Sequence, residues 1–265
     1  MRREDDDDGA SDGEPRRPRR ESMIRLLLAA GLLLVAGGAL MAALAGFGHR
    51  WGWWHFSIGF SVLRWGLYAS IAGVALSAVA LLSAALLKRR WLVLAALPAI
   101  ALGAAVISVP LDHRQRAMGV PPIHDISTDL DDPPPFVALR PAREAAPNRV
   151  EHPGEATARL QHEGYPDLVP IRLAADRETV FVAAEQLARE LGWRIVEADP
   201  VEGRIEAVDR TFWFGFRDDV VIRIIEVEDG RTRVDLRSAS RMGQGDLGTN
   251  ARRIRDFLTR LQDRL

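Results

Sequence analysis

Val220-Val221-Ile222-Arg223-Ile224-Ile225-Glu226-Val227-Glu228, then Asp229-Gly230, then Arg231-Thr232-Arg233-Val234-Asp235-Leu236-Arg237-Ser238 is the stretch that decides the fold of the C-terminal half. Two runs rich in β-branched residues flank an Asp-Gly pair, the strongest short-range hairpin signal. Upstream, Trp193 to Ala198 and Arg204 to Val208 flank the turn Asp199-Pro200-Val201-Glu202-Gly203 and predict a second strand pair. Before that, Val180, Ala184, Leu187, Ala188 and Leu191 recur at helical spacing and Gly192 marks a stop, so a helix is expected over Arg177 to Leu191. A last helix is expected from Thr249 to Arg264, burying Ile254, Phe257, Leu258, Leu261 and Leu265 and pairing Asp256 with Arg260 across one turn. Helix, four antiparallel strands and helix predict a two-layer α+β sandwich over residues 176–265.

Residues 112–175 read as a Pro-rich extended arm of the same domain, because ten of the fifteen prolines lie between Gly119 and Pro170. Ile123, Ile126, Phe136, Leu160, Tyr165, Leu168 and Ile171 are its expected apolar anchors.

Further back the solvent changes. Leu26 to Phe47, Trp65 to Leu87 and Trp91 to Pro110 are each long enough to cross a bilayer and carry no charge inside, giving a three-helix transmembrane region over 23–111. Trp51, Trp53, Trp54, Trp65 and Trp91 stand at their ends, where amphipathic rings meet headgroups. Seven arginines precede the first span and Lys88-Arg89-Arg90 separates the second from the third, so retention of basic loops puts the N-terminus in the cytoplasm and the C-terminal domain in the periplasm. The Arg-rich start and Ala43-Leu44-Ala45 imitate a signal peptide, but the apolar run is longer than an h-region. Small residues recur every four positions at Gly38, Ala42 and Gly46, at Ala69, Gly73 and Ser77, and at Ala95, Ala99 and Gly103, which suits close helix packing or a homo-oligomer. Residues 1–22, with Asp5 to Asp8, are charged and aperiodic and are expected to be a disordered tail.

The chain's averages, 48% hydrophobic and a net charge of −1, therefore blend two environments. Lacking cysteine, it has no disulfide, thiolate metal site or cysteine nucleophile. The part after residue 111 holds 23 Arg, no Lys and 28 acidic residues, a balance against nucleic-acid binding.

Four motifs occur in order: Pro121-Pro122-Ile123-His124-Asp125-Ile126-Ser127-Thr128-Asp129, Gly192-Trp193, Trp213-Phe214-Gly215-Phe216-Arg217-Asp218-Asp219-Val220-Val221-Ile222-Arg223, and Asp235 to Arg241 running into Gly245-Asp246-Leu247-Gly248-Thr249-Asn250-Ala251. With them the chain resembles the family called domain of unknown function 1499 from Gly119 to Leu265. That resemblance implies a bacterial envelope protein and carries no catalytic assignment.

The residues themselves offer several chemistries. Gly243, Gly245 and Gly248 spell a dinucleotide fingerprint between a strand and a helix, but no parallel strand with an acidic partner follows, so no cofactor is expected. Arg237, Ser238, Ser240, Arg241 and the same glycines, with Arg252 and Arg253 following, could converge on an anionic envelope ligand such as a lipid headgroup or glycan phosphate. Pairing of these arginines with Asp218, Asp219, Asp235 and Asp246 is the structural explanation weighed against it. His124, Asp125 and Ser127 contain the residue types of a hydrolase triad, yet neighbours on an extended arm point apart, and Asp125, Ser127 and Thr128 are expected to cap turns. Trp213, Phe214 and Phe216 serve either as an exposed platform or as packing. His113, His152 and His162 lack metal-ligand spacing. The expectation is a non-enzymatic membrane protein whose periplasmic domain binds an envelope lipid, glycan or protein. Its alternative is a hydrolase or transferase of phosphate or acyl esters, with His124, Asp218 or Asp219 as acid or base and Arg223, Asp246 and Asn250 as further polar motif residues.

Overall fold

The computed structural model describes residues 16–228 and 230–265. Its contacts divide the chain into two compact units, one running through Leu44 and including Phe60–Ser108, the other comprising Ala45–Gly59 and Val109–Leu265.

Three helices, α1 (Arg16–Arg50), α2 (Phe56–Leu86) and α3 (Arg90–Met118), contain the three expected spans but for Leu87, and each is long and apolar enough to cross a membrane. Each also overruns its span. Residues 16–22, expected to be disordered, are helical, with Glu21 paired to Arg25 one turn on and to Arg89. The rest of the expected tail, with Asp5 to Asp8, lies outside the described residues. Close packing of α1 on α2 uses small residues: a Cβ built on Gly73 would stand 2.6 Å from the Gly31 carbonyl oxygen, and one on Gly38 2.5 Å from that of Gly66. Within this unit Gly38, Gly73 and Gly103 are thus turned toward neighbouring helices of the same chain.

In the second unit the order is β1 (Asp125–Ser127), α4 (Arg140–Glu144), α5 (Glu155–Gly164), β2 (Ile171–Leu173), α6 (Arg177–Glu190), β3 (Arg194–Asp199), β4 (Arg204–Arg210), β5 (Arg217–Glu226), β6 (Thr232–Ser240) and α7 (Thr249–Gln262). Both expected helices and all four expected strands form. Asp176 caps α6 by accepting from the Thr179 amide at 2.9 Å, and Asp256 pairs with Arg260. Asp229 of the expected hairpin turn lies outside the described residues.

The sheet has six strands rather than four. Its order is β1-β6-β5-β4-β3, and β2 shares the outer edge of β6 with β1, every pairing being antiparallel. β1 covers Arg237 to Ala239 and β2 covers Thr232 to Val234, while Thr128 closes the gap by exchanging hydrogen bonds with Leu236. Three-residue strands among prolines show no alternation to read, but they shut an edge that would otherwise present open backbone groups. The arm is also less extended than expected, since it carries α4 and α5.

One face of the sheet packs on α6 and α7. Ile205 and Ala207, Val220, Ile222 and Ile224, and Val234 and Leu236 form one core with Val180, Ala184, Leu187, Ile254, Phe257 and Leu261. Ile123, Ile126, Tyr165 and Leu168 of the arm join it, whereas Leu160 and Leu265, expected to be buried, are exposed. Both lie on the solvent side of their segments, Leu160 on α5 and Leu265 past the last turn of α7. The opposite face is covered too: Phe136 and Leu139 of the arm pack on Val208, Val221 and Ala239.

Candidate functional site

Strand alternation places Glu206, Asp219, Arg223, Asp235 and Arg237 on the face that receives the arm. Buried there, or half-buried in the case of Arg223, each of these charges has to meet a partner of opposite sign or a set of hydrogen bonds. Arg237 forks onto Asp125 at 2.9 and 2.8 Å and also donates to the carbonyls of Val150 and Pro134. Asp125 is therefore the counter-ion of Arg237 and not a turn cap; β1 lies antiparallel to β6 and sets the carboxylate over that strand. Asp219 takes two arginines, Arg241 through both Nε and Nη2 and Arg143 at 3.0 Å. Arg143, on α4, further donates to Ala239 O and Arg149 O. The Arg143 and Arg237 guanidiniums both lie over the Phe136 ring, at 4.6 and 4.7 Å from its centroid.

The same layer continues in both directions. Arg223 reaches Asp235, Asp129 and Asp132, and Arg233 shares Asp129 and Asp235 with it. Fully buried Glu206 accepts the amides of Val137, Ala138 and Leu139 at 2.7 to 3.0 Å, tying the arm down at the start of α4. Burial pushes the Asp129 carboxyl up, but amides of Asp132 and Asp131 and the guanidiniums of Arg233 and Arg223 hold it below its usual range.

On the helix side a second polar cluster joins β6 to α7. Arg253 binds Asp209 and Asp218, each at 2.7 Å, and meets Ser238 and Asn250. Asn250 also accepts from the Ser238 hydroxyl and donates to Ser240 Oγ and to the His124 carbonyl. Asp246 sits at the start of α7 and accepts from the amides of Gly248 and Asn250. The seat that a bound anion would take is thus filled by the chain's own carboxylate. Its burial pushes that carboxyl above the ordinary range despite these two amides.

The expected ligand-binding set therefore does not meet in one open place. Arg237 and Arg241 face the arm, Ser238 and Ser240 face α7, and Gly243 and Gly245 lie in an exposed loop, where Gly243 O accepts from Asn148. Gly248 adjoins the Asp246 seat. Phe136 was expected only as an apolar anchor and Arg253 only as a flanking arginine of the anion set, whereas Arg143 gave no signal and reads in sequence as an ordinary member of an Ala/Pro-rich segment.

One open concavity, of ≈ 390 Å³, adjoins Asp209, Arg252 and Arg253; another is elsewhere. A cleft of ≈ 650 Å³ lies between residues 130–133 and α5, lined among others by Asp131, His152, Glu155, Arg159, His162 and Glu163. His152 Nδ1 accepts from the Gly154 amide at 3.2 Å, which leaves the proton on Nε2. Among the described residues, no cluster of metal-ligating side chains is present.

Burial lowers the pKa of both His124 and His152, outweighing the nearby Asp125 carboxylate. Both imidazoles are consequently neutral in the fold and protonate more readily in the unfolded chain. The stability they favour is complete above the unfolded value of about 6.5 and is lost as pH falls through it. We expect the unfolding free energy of the full chain in detergent to drop as pH falls below about 6.5, and the His124→Gln/His152→Gln double variant to flatten that slope. An unchanged slope in the variant would refute this assignment.

The architecture defines a class: a domain with an antiparallel sheet and packed helices, preceded by three candidate membrane helices, whose polar motif residues are matched within the fold. The family model described as "Protein of unknown function (DUF1499)" matches residues 125–261, over half of the chain. The chain belongs to that family. No curated protein matches it.

Proposed function

We propose that this is a non-catalytic protein of the bacterial cytoplasmic membrane, with its N-terminus in the cytoplasm, that presents its α+β domain to the periplasm to bind an envelope component. The observation that carries the non-catalytic part is the pairing of the motif charges. Arg237, Arg241, Asp125, Asp218 and Asp219 each spend their hydrogen bonds on a partner within the domain. Binding then falls to the surface, and the cleft beside α5, with cationic Arg159 among acidic Asp131, Glu155 and Glu163, suits a polar partner of mixed charge. The orientation is read from the arginines before the first apolar span and from Lys88-Arg89-Arg90 between the second and third.

Two measurements test it. In intact cells a membrane-impermeant maleimide should label Val201→Cys, on an exposed turn, and spare Lys88→Cys; the reverse pattern overturns the orientation. A photo-crosslinking residue at Ala158, in the cleft, should yield a discrete adduct absent when the same residue replaces Val201. Identical adducts from both positions, or none, would remove the cleft as the binding surface.

A further inference from the structure

We propose that Phe212, at the tip of the β4–β5 turn, enters the lipid interface of the membrane that the chain spans, so that the domain touches the bilayer through a loop of its own. The inference rests on the chain crossing a membrane and not on which side the domain lies.

The end of α1 and the loop after it, residues 45–59, belong to the same compact unit as the domain. Arg50 Nη1 donates to the carbonyls of Thr211 and Phe212 at 2.8 and 2.9 Å, and Arg210 Nη2 donates back to Arg50 O at 2.6 Å. This reciprocal clasp holds the β4–β5 turn against the point where the first apolar helix ends.

Four aromatic residues in that turn divide by direction. Trp213 lies against Gly46, in space that a Cβ there would enter. Phe214 is buried and stacks on Phe216 at 5.3 Å, and both lie against His49. These three pack, which settles their role between platform and packing in favour of packing. Phe212 does the opposite and is 79% exposed.

Its neighbours show what covers it. Phe212 meets Phe47 edge-on at 5.6 Å, Phe47 stacks on Trp51 at 5.4 Å, and Trp51 lies 4.9 Å from Trp53. Trp51 and Trp53 are 57% and 59% exposed, so four rings from two distant stretches form one aromatic patch open to its surroundings. The patch begins on the last turn of an apolar helix, and indole rings at that position seat themselves among headgroups. A phenyl ring on the same patch reaches the same depth, and the boundary between headgroups and acyl chains is the occupant that fits it.

Absence of cysteine makes the test direct. The full chain is reconstituted in phosphatidylethanolamine/phosphatidylglycerol vesicles carrying a nitroxide either near the headgroup or deep in the acyl chain. A fluorophore is attached at Phe212→Cys, at Leu33→Cys on an exposed face of α1, or at Val201→Cys on the β3–β4 turn. The expected result is a larger fluorescence loss with the shallow nitroxide at 212, a larger loss with the deep one at 33, and none at 201. Position 212 behaving like 201 while 33 is quenched overturns the inference and leaves the spanning helices intact. No loss at 33 removes the membrane reading and this inference with it. Self-quenching among 212 labels without any response to nitroxide lipid places a second copy on the patch and also overturns it.

Discussion

Arg237→Ala lowers the unfolding free energy of the full chain by about 3–5 kcal/mol, because it leaves the Asp125 carboxylate buried without its counter-ion. The guanidinium is held by both oxygens of Asp125, by two arm carbonyls and by the Phe136 ring, so its removal strands partners on several segments at once. Replacing both members, as in Asp125→Leu/Arg237→Met, should recover most of the loss, since an apolar pair of similar volume avoids the desolvation of two ions. Denaturant unfolding in detergent, followed by the near-ultraviolet signal of the stacked Trp193 and Phe257, measures both variants. If the double variant is as unstable as the single one, the loss comes from packing and not from an unpaired charge.

A loss at least as large is expected for Asp219→Ala. This carboxylate is the only one that Arg143 meets among the described residues, and it also receives Arg241. Burial already lowers the affinity of Arg143 for its proton, with Asp219 as the chief opposing influence. Taking the anion away leaves a buried cation whose Nε has no hydrogen-bond partner even in the native arrangement. The decrement should be about 3–5 kcal/mol by the same unfolding measurement. Arg241→Ala should lose clearly less, because Asp219 keeps Arg143 and the lost side chain reaches solvent. Equal losses at 219 and 241 would contradict the central place given to Asp219.

The hairpin, both flanking helices and the three spans were legible from local signals: β-branched runs about an Asp-Gly pair with alternation along β6, spacing near four along α6 and α7, and unbroken apolarity in the spans. The same alternation misleads about the second face of the sheet. Asp219, Arg223, Asp235 and Arg237 alternate with Val220, Ile222, Val234 and Leu236 as in a strand with one wet side, yet the arm dries that side. Nothing local announces this, because the cover is supplied by Phe136, Leu139 and Arg143, far upstream in the chain, in a segment whose prolines suppress any periodic signal. The candidate site was therefore legible as a set of residue types and not as an arrangement. Arg–Asp pairing was the structural alternative, and for Arg253 it does fasten strands to the last helix. For Arg237 and Arg241 the pairing fastens something else, the arm and the sheet's own neighbouring strand.

The double edge of β6 has a consequence for the order in which the domain is made. β1 emerges from the ribosome first, and the strand it must join comes last but for one helix; the Asp125–Arg237 pair closes a separation of 112 residues. Contacts between such distant parts form slowly and only after the chain has paid out most of its length. Until β6 arrives, β1 has no strand to pair with and Asp125 has no counter-ion. The segment that seals the finished sheet is thus the one left waiting longest.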